Sequence, residues 1–219
     1  MLRRLLKRLE RAGKSLALRA LALLVARDAA AGGLPWAERP HRVLFLRHDR
    51  LGDMILSTGL IRAIAGSQPR LTLDVLASPI NAPVLQAEPA VGTVVVLDRR
   101  RPWTFPGVLR RLRRARYDAV VDCMVTAPSL TTLLLMLASG ARERVGVARE
   151  DNRFFYTVPL EPRAGATHIV EHLSALLRPF GLDPRSVDLA PRIVLTDEER
   201  RAGEQRWREL GGGAPRLRV

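Results

Sequence analysis

Short apolar runs alternate with longer stretches of helical periodicity from about residue 41 onward. Runs typical of buried strands lie at 42–47, 71–77, 93–98, 118–124 and 143–147. The stretches between them have apolar residues at helical spacing, and they predict helices over 53–66, about 80–87, 104–115 and 128–139. Because the strand-like runs lack polar alternation, helices should cover both of their faces. The pattern predicts an α/β fold with an open parallel sheet, doubly wound.

The alternation of strand-like and helical segments ends after the fifth strand-like run. Residues 149–166 are rich in charged and aromatic side chains and are predicted to form a loop. Helices are expected from about 167 to 180 and from about 196 to 210, and Thr196 with Glu199 forms a capping-box pattern at the start of the second one. The residues beyond it predict a glycine-rich turn and the first part of another strand. We therefore expect a further domain to begin there.

The N-terminal residues have a different pattern. Leucines recur at helical spacing over residues 1–30 while arginines and lysines fill the other face, which predicts a basic amphipathic helix. Its longest apolar run, residues 20–26, is seven residues long, whereas a spanning helix needs roughly 20. Such a helix can lie on an anionic membrane surface. A helix packed on its own domain and a cleaved signal peptide are the alternatives.

Length, charge and cysteine content narrow the picture. The 219 residues suit one full-sized domain, predicted at 41–195 after a linker at 31–40, with a linking helix and the start of a second domain at 196–219. The net charge of +14 favours anionic partners such as membranes, nucleic acids or phosphorylated lipids and sugars. Cys123 is the only cysteine, which indicates a reducing compartment such as the cytoplasm.

The segment between the first strand and the first helix carries the best candidate site, because ligands of open parallel sheets bind beyond the carboxyl ends of the strands. Neither glycine-rich nucleotide motif is present there. Arg47 and Arg50 supply guanidiniums for anionic groups, Gly52 lets the backbone approach a ligand, and Asp53 places a carboxylate at the strand-to-helix turn. These residues predict a site for an anionic, hydroxyl-bearing substrate. Taken alone, Asp53 is better explained as a helix cap.

Two other motifs are less specific. Residues 168–172, "HIVEH", match a zinc-protease pattern, but no third ligand follows and we predict no metal site. Eight arginines lie between residues 99 and 116, beside Trp103 and Phe105. They could neutralise phosphates of a nucleic acid, but no nucleic-acid-binding module accompanies them. We therefore favour a solvated helix face that can also contact anionic lipid, and expect no nucleic-acid partner.

Five segments, in order, resemble a known family: "VLFLRHDRLGDMILSTGLIRAI", "LTLDVLASPINAPVLQAEPAV", "YDAVVDC", "ERVGVARE" and "THIVEHLSALLRPFGL". Over about residues 42–182 they are similar to the N-terminal half of glycosyltransferase family 9, the lipopolysaccharide heptosyltransferases. The most specific piece is the strand followed by R-x-D-R-L-G-D. The resemblance implies a Rossmann-like acceptor-binding domain of a two-domain GT-B enzyme, whose other half holds the nucleotide sugar.

The resemblance also implies an activity and a set of site residues. Family members transfer heptose, commonly from ADP-heptose, to a lipopolysaccharide-type glycolipid with inversion and without a metal or other cofactor. Asp53 matches the aspartate of the family's G-D pair and would be the general base, a role compatible with capping. Arg47, Arg50 and Gly52 would bind the acceptor, and Asn81 and Arg149 follow the second and fifth strands at the same edge.

The expected location is the cytoplasmic face of the cell membrane, where the protein would be peripherally bound through residues 1–30. A different class of function stays open beside the transferase. The chain would then be a non-catalytic domain that binds a glycolipid or a partner and lacks a donor site.

Overall fold

The computed structural model describes residues 41–124, 130–150, 152–162, 165 and 168–210. The predicted amphipathic helix at 1–30 and the linker at 31–40 lie outside the described residues, as does the segment 211–219. The described part forms six strands and five α-helices. Their bounds are β1 His41–Arg47, α1 Leu51–Gly66, β2 Leu71–Ala77, β3 Val94–Val96, α2 Phe105–Ala115, β4 Ala119–Asp122, α3 Leu130–Ser139, β5 Glu143–Val147, β6 Val158–Leu160, α4 Ile169–Leu173 and α5 Asp197–Glu209.

The six strands form one parallel sheet in the order β3-β2-β1-β4-β5-β6. The chain builds the sheet outward from β1 to β3, returns to the other side of β1, and continues outward to β6. This arrangement confirms the predicted Rossmann-like, doubly wound fold. The order reverses between β1 and β4, and a ligand crevice is expected beyond the carboxyl ends of strands at such a switch point.

Strand β1 lies at the centre of the sheet because both of its faces are apolar. Val43 and Phe45 pack in a cluster with residues of α1 and of the segment that follows α4. Leu44 and Leu46 point the other way, into a second cluster with residues of α2 and α3. All four side chains are fully buried. The unbroken apolar run is therefore explained by helices on both faces.

Two predicted helices differ from the structure. The helix expected at about 80–87 is one short 3-10 turn, Ala82–Leu85, with a proline in its first turn. The helix expected at 167–180 begins as α4 and continues as a 3-10 helix over Ser174–Phe180, which contains Pro179. Proline has no N–H and clashes with the preceding turn, so it disfavours regular α-helix in the interior.

Strand β6 differs from the prediction, because the sequence pattern predicts a loop for 149–166. The strand pairs with β5 over three residues and has Pro159 at its centre. Proline cannot donate a ladder hydrogen bond and is tolerated at the edge of a sheet, which is where β6 lies. Three residues with a central proline are too few to show a strand pattern.

The segment before α5 crosses closely over α1. A Cβ atom placed on Gly59 would lie 2.5 Å from the carbonyl oxygen of Leu189. The hydroxyl of the adjacent Thr58 accepts a 2.9 Å hydrogen bond from the backbone N–H of Arg192. Gly59 is therefore required by a backbone-to-backbone contact rather than by its own conformation.

Replacing Gly59 by Ala should lower the free energy of unfolding by about 1–3 kcal/mol, because the crossing segment must shift. Gly66→Ala, in the same helix, is the matched control, since an added Cβ there meets no atom within 4 Å. Helix propensity alone would make that control more stable by up to about 1 kcal/mol. Urea unfolding of both variants checks the prediction, and equal stability of the two would contradict it.

Candidate functional site

The carboxyl edge of the sheet is organised around the guanidinium of Arg47, which is 1% exposed. Its Nε donates a 3.1 Å hydrogen bond to the backbone oxygen of Asp53 in the first turn of α1. One Nη donates to the backbone oxygen of Cys123, directly after β4, and to the carboxylate of Asp49 at 3.4 Å. Arg47 thus joins the end of β1 to the start of α1 and to the end of β4.

Asp53 is held by its backbone while its carboxylate is left available. The backbone oxygen accepts from Arg47 and, at 2.7 Å, from the hydroxyl of Ser57. Within the described residues the half-buried carboxylate has no hydrogen bond or ion pair. Helix α1 begins at Leu51, two residues before its predicted start, and Arg50 occupies the N-cap position without a side-chain cap. The hydrogen-bonded cap expected of Asp53 is therefore not formed, although its charge still complements the helix dipole.

Asn81 ties the loop after β2 to the end of β1. Its Oδ1 accepts a 2.8 Å hydrogen bond from the backbone N–H of Ser78, and its Nδ2 donates a 3.0 Å bond to the backbone oxygen of Arg47. The side chain is fully buried. The contacts observed for Asn81 therefore position two loops, and its acceptor-binding role stays a prediction.

The remaining predicted acceptor residues are exposed at the same edge. The side chain of Arg50 makes no hydrogen bond or ion pair with the part of the chain that the structure describes. A Cβ on Gly52 would meet no atom of the described residues within 4 Å, so no contact with them requires a glycine there. Arg149 follows β5, its backbone N–H donates to Asn152, and β4 separates its strand from β1. Acceptor binding by these three residues also stays a prediction.

A cavity that the sequence analysis missed lies beside the ends of β1, β2 and β3. Its volume is about 270 Å³, near the lower end for ligand pockets. The lining residues are His48, Asp49, Ser78, Pro79, Ile80, Leu97, Asp98, Arg99 and Arg100. The signal was present, since Asp98, Arg99 and Arg100 closely follow the third strand. Both arginines also belong to the arginine-rich stretch 99–116, which is why the sequence pattern favours a helix face for them.

Burial shifts the pKa values of three side chains at this edge. It lowers the pKa of His48 to about 4, helped by Arg99 and Arg47, and neither ring nitrogen has a hydrogen-bond partner among the described residues. Burial raises the pKa of Asp122 to about 6, although the carboxylate accepts from the backbone N–H of Met124 and the hydroxyl of Tyr156. Burial also raises the pKa of Asp49, against the opposing effect of Arg47. The edge is therefore poorly solvated.

Cys123 and the "HIVEH" segment, residues 168–172, have structural roles. Cys123 is buried, and burial raises the pKa of its thiol to about 11, so it stays protonated at neutral pH. The "HIVEH" segment starts α4 with a reciprocal cap. His168 Nδ1 accepts from the backbone N–H of Val170, and the carboxylate of Glu171 accepts from the backbone N–H of His168. Capping therefore gives His168 and Glu171 a structural role.

The chain matches no protein-family model and no curated protein. It is similar to several solved structures. The glycosyl transferase family 9 protein from Veillonella parvula DSM 2008 superposes with a TM-score of 0.66 at 18% identity, covering 83% of this chain and 51% of that one. E. coli heptosyltransferase WaaC with ADP-2-deoxy-2-fluoro heptose gives a TM-score of 0.57 at 17% identity, covering 67% and 50%.

E. coli ADP-heptose lps heptosyltransferase II gives a TM-score of 0.56 at 19% identity, covering 76% of this chain and 50% of that one. The chain therefore spans about half the length of these solved structures. At this level of identity the likeness shows a shared fold. That fold is the one implied by the sequence resemblance.

The pKa values of Asp122 and His48 are shifted in opposite directions, so their effects on the pH dependence of stability should partly cancel. Between pH about 4 and 6 the native state binds more protons than the unfolded state at Asp122, so stability falls as pH rises. Between pH about 4 and 6.5 it binds fewer at His48, so stability rises. Each effect amounts to about 3 kcal/mol.

Asp122→Asn should therefore gain stability relative to the unmodified protein as pH rises from about 4 to 6, and His48→Gln should lose it. Urea unfolding at half-unit pH intervals measures both differences. Profiles that run parallel to that of the unmodified protein would contradict the assignment.

Proposed function

We propose that this chain is the acceptor-binding half of an inverting glycosyltransferase of family 9. The enzyme would transfer a heptose-like sugar from a nucleotide sugar, ADP-heptose, to a lipopolysaccharide-type glycolipid. The ordered sequence resemblance and the fold shared with the three solved structures support this proposal. The nucleotide sugar is a substrate, and the proposed reaction uses no metal or other cofactor.

The main support for the proposal is the hydrogen bonding of Asp53. Two hydrogen bonds fix its backbone oxygen, while its carboxylate has no partner among the described residues. A general base needs this combination of fixed position and free oxygens. In the proposed reaction the carboxylate takes the proton of an acceptor hydroxyl as that oxygen bonds to the anomeric carbon. The bond from that carbon to the nucleotide diphosphate breaks on the opposite face, which inverts the configuration.

The neighbouring residues suit an anionic acceptor. Arg50 presents a guanidinium that has no partner among the described residues, and none of their atoms lies within 4 Å of a Cβ placed on Gly52. Arg99 and Arg100 add positive charge at the 270 Å³ cavity. Arg47 and Asn81 hold the loops in place, and the buried Nη2 of Arg47 has no hydrogen-bond partner in the described part of the chain.

Asp53→Asn should lower turnover by about 100-fold or more, because the amide cannot accept the hydroxyl proton. The assay uses protein isolated from its source cells with ADP-heptose and a heptose-accepting glycolipid. The fold should persist, since both hydrogen bonds to residue 53 involve only its backbone oxygen. Asp183→Asn, in an exposed turn after α4, is the matched control and should retain full turnover.

Near-normal turnover of Asp53→Asn would move the base role away from Asp53. Binding of the glycolipid without any sugar transfer by the unmodified protein would support the alternative of a non-catalytic binding domain.

We further propose that the protein binds the cytoplasmic face of the cell membrane peripherally. The support is the leucine and arginine pattern of residues 1–30 and the net charge of +14. None of the helices in the described residues is long and apolar enough to cross a bilayer.

Deletion of residues 1–30 should lower affinity for phosphatidylglycerol vesicles at least about tenfold, because it removes both the apolar face and a cluster of positive charges. Vesicle sedimentation at increasing salt measures the effect. An unchanged affinity would show that residues 1–30 do not bind the membrane, which would contradict the proposal.

A further inference from the structure

A second, larger cavity lies at the opposite edge of the sheet from Asp53. Its volume is about 880 Å³, and it is formed where α2 and α3 end and β4 and β5 begin. Four arginines line it, namely Arg113, Arg114, Arg116 and Arg142, and Asp118 is the only carboxylate among its described lining residues. The site proposed for the acceptor does not use this cavity.

Among the described residues that line the cavity, Asp118 is the one counter-charge for the four guanidiniums. None of the four side chains makes a hydrogen bond or ion pair with the part of the chain that the structure describes, and all four residues are exposed. The Asp118 carboxylate accepts a 2.8 Å hydrogen bond from the backbone N–H of Arg42. The negative ends of α2 and α3 each contribute about half a charge. A local surplus of about two positive charges is left.

The other polar groups of the cavity are already engaged. The hydroxyl of Tyr117 donates a 2.9 Å hydrogen bond to Asp74. The hydroxyl of Ser139 donates to the backbone oxygen of Met136 and accepts from the backbone N–H of Ala141 at 3.2 Å. Recognition of a ligand would therefore fall to the guanidiniums, which bind phosphate oxygens in pairs.

The backbone brings one of these guanidiniums close to the turn after α3. Gly140 has a φ of 65° and carries no side chain, and a Cβ atom there would clash with the guanidinium of Arg113. Arg116 has a φ of 52° as it ends α2, which turns the chain into the cavity wall. Because its wall is concave, the cavity is better suited to a small ligand than to an extended flat surface. Interaction with helix dipoles accounts for only about one of the four charges.

We propose that this arginine cavity binds a phosphate dianion, either free or as the monoester group of a lipid. A phosphate monoester carries a charge of about −1.5 to −2 at neutral pH, which matches the local surplus. This proposal does not depend on the transferase assignment, because the cavity lies at the other edge of the sheet.

The test titrates the full chain with inorganic phosphate at pH 7.5 by calorimetry, and with phosphatidic acid in phosphatidylcholine vesicles by sedimentation. The double variant Arg113→Gln/Arg142→Gln should weaken binding at least about tenfold, because two charge-assisted contacts are lost. Arg110→Gln/Arg185→Gln is the matched control. It removes the same charge from exposed positions outside the cavity and should stay within about twofold.

A loss with inorganic phosphate supports a free ligand, and a loss with phosphatidic acid vesicles alone supports a lipid headgroup. Arg114→Gln/Arg116→Gly should repeat the loss, since glycine accepts the positive φ of residue 116. An equal loss in the control pair, binding removed instead by Arg99→Gln/Arg100→Gln, or no binding of either probe would overturn the proposal.

Discussion

The buried guanidinium of Arg47 is the interaction on which the carboxyl edge of the sheet depends. Burying a charge is costly unless hydrogen bonds and an opposite charge compensate for it. Here the compensation comes from the backbone oxygens of Asp53 and Cys123 and from the carboxylate of Asp49. Asp53 lies in α1, Cys123 directly follows β4, and Asp49 lies in the loop between β1 and α1, so the partners surround the switch point. The need to satisfy one guanidinium therefore fixes the geometry of the candidate site.

The same interaction explains why Asp53 is chemically available. Arg47 bonds to the backbone oxygen of Asp53 and to the side chain of Asp49, so the two neighbouring carboxylates have different roles. Burial raises the pKa of Asp49 and of Asp122, and Arg47 opposes both shifts. The buried cation thus helps to keep these acids ionised. The half-buried Asp53 carboxylate has no partner among the described residues, as the proposed role of general base requires.

The local sequence pattern predicts most of the fold, because a central strand that is buried on both faces is a continuous run of apolar residues. Five strands and the helices α1, α2, α3 and α5 were placed within a few residues of their bounds. Strand β6 was missed because three residues with a central proline carry no period. His48 was missed as a site residue because its burial depends on three loops meeting at the sheet edge, and no local pattern encodes that meeting.

Arginines from the two ends of the arginine-rich stretch line two different cavities. Helix α2 has eleven residues, which corresponds to about 16 Å, and it returns the chain from the carboxyl edge of the sheet to the amino edge. Arg99 and Arg100 precede it and line the smaller cavity, whereas Arg113, Arg114 and Arg116 lie at its far end and line the larger one. The crossover connection therefore divides the run. Its two ends line two separate cavities, whereas Arg110 and Arg111 lie exposed on the helix between them.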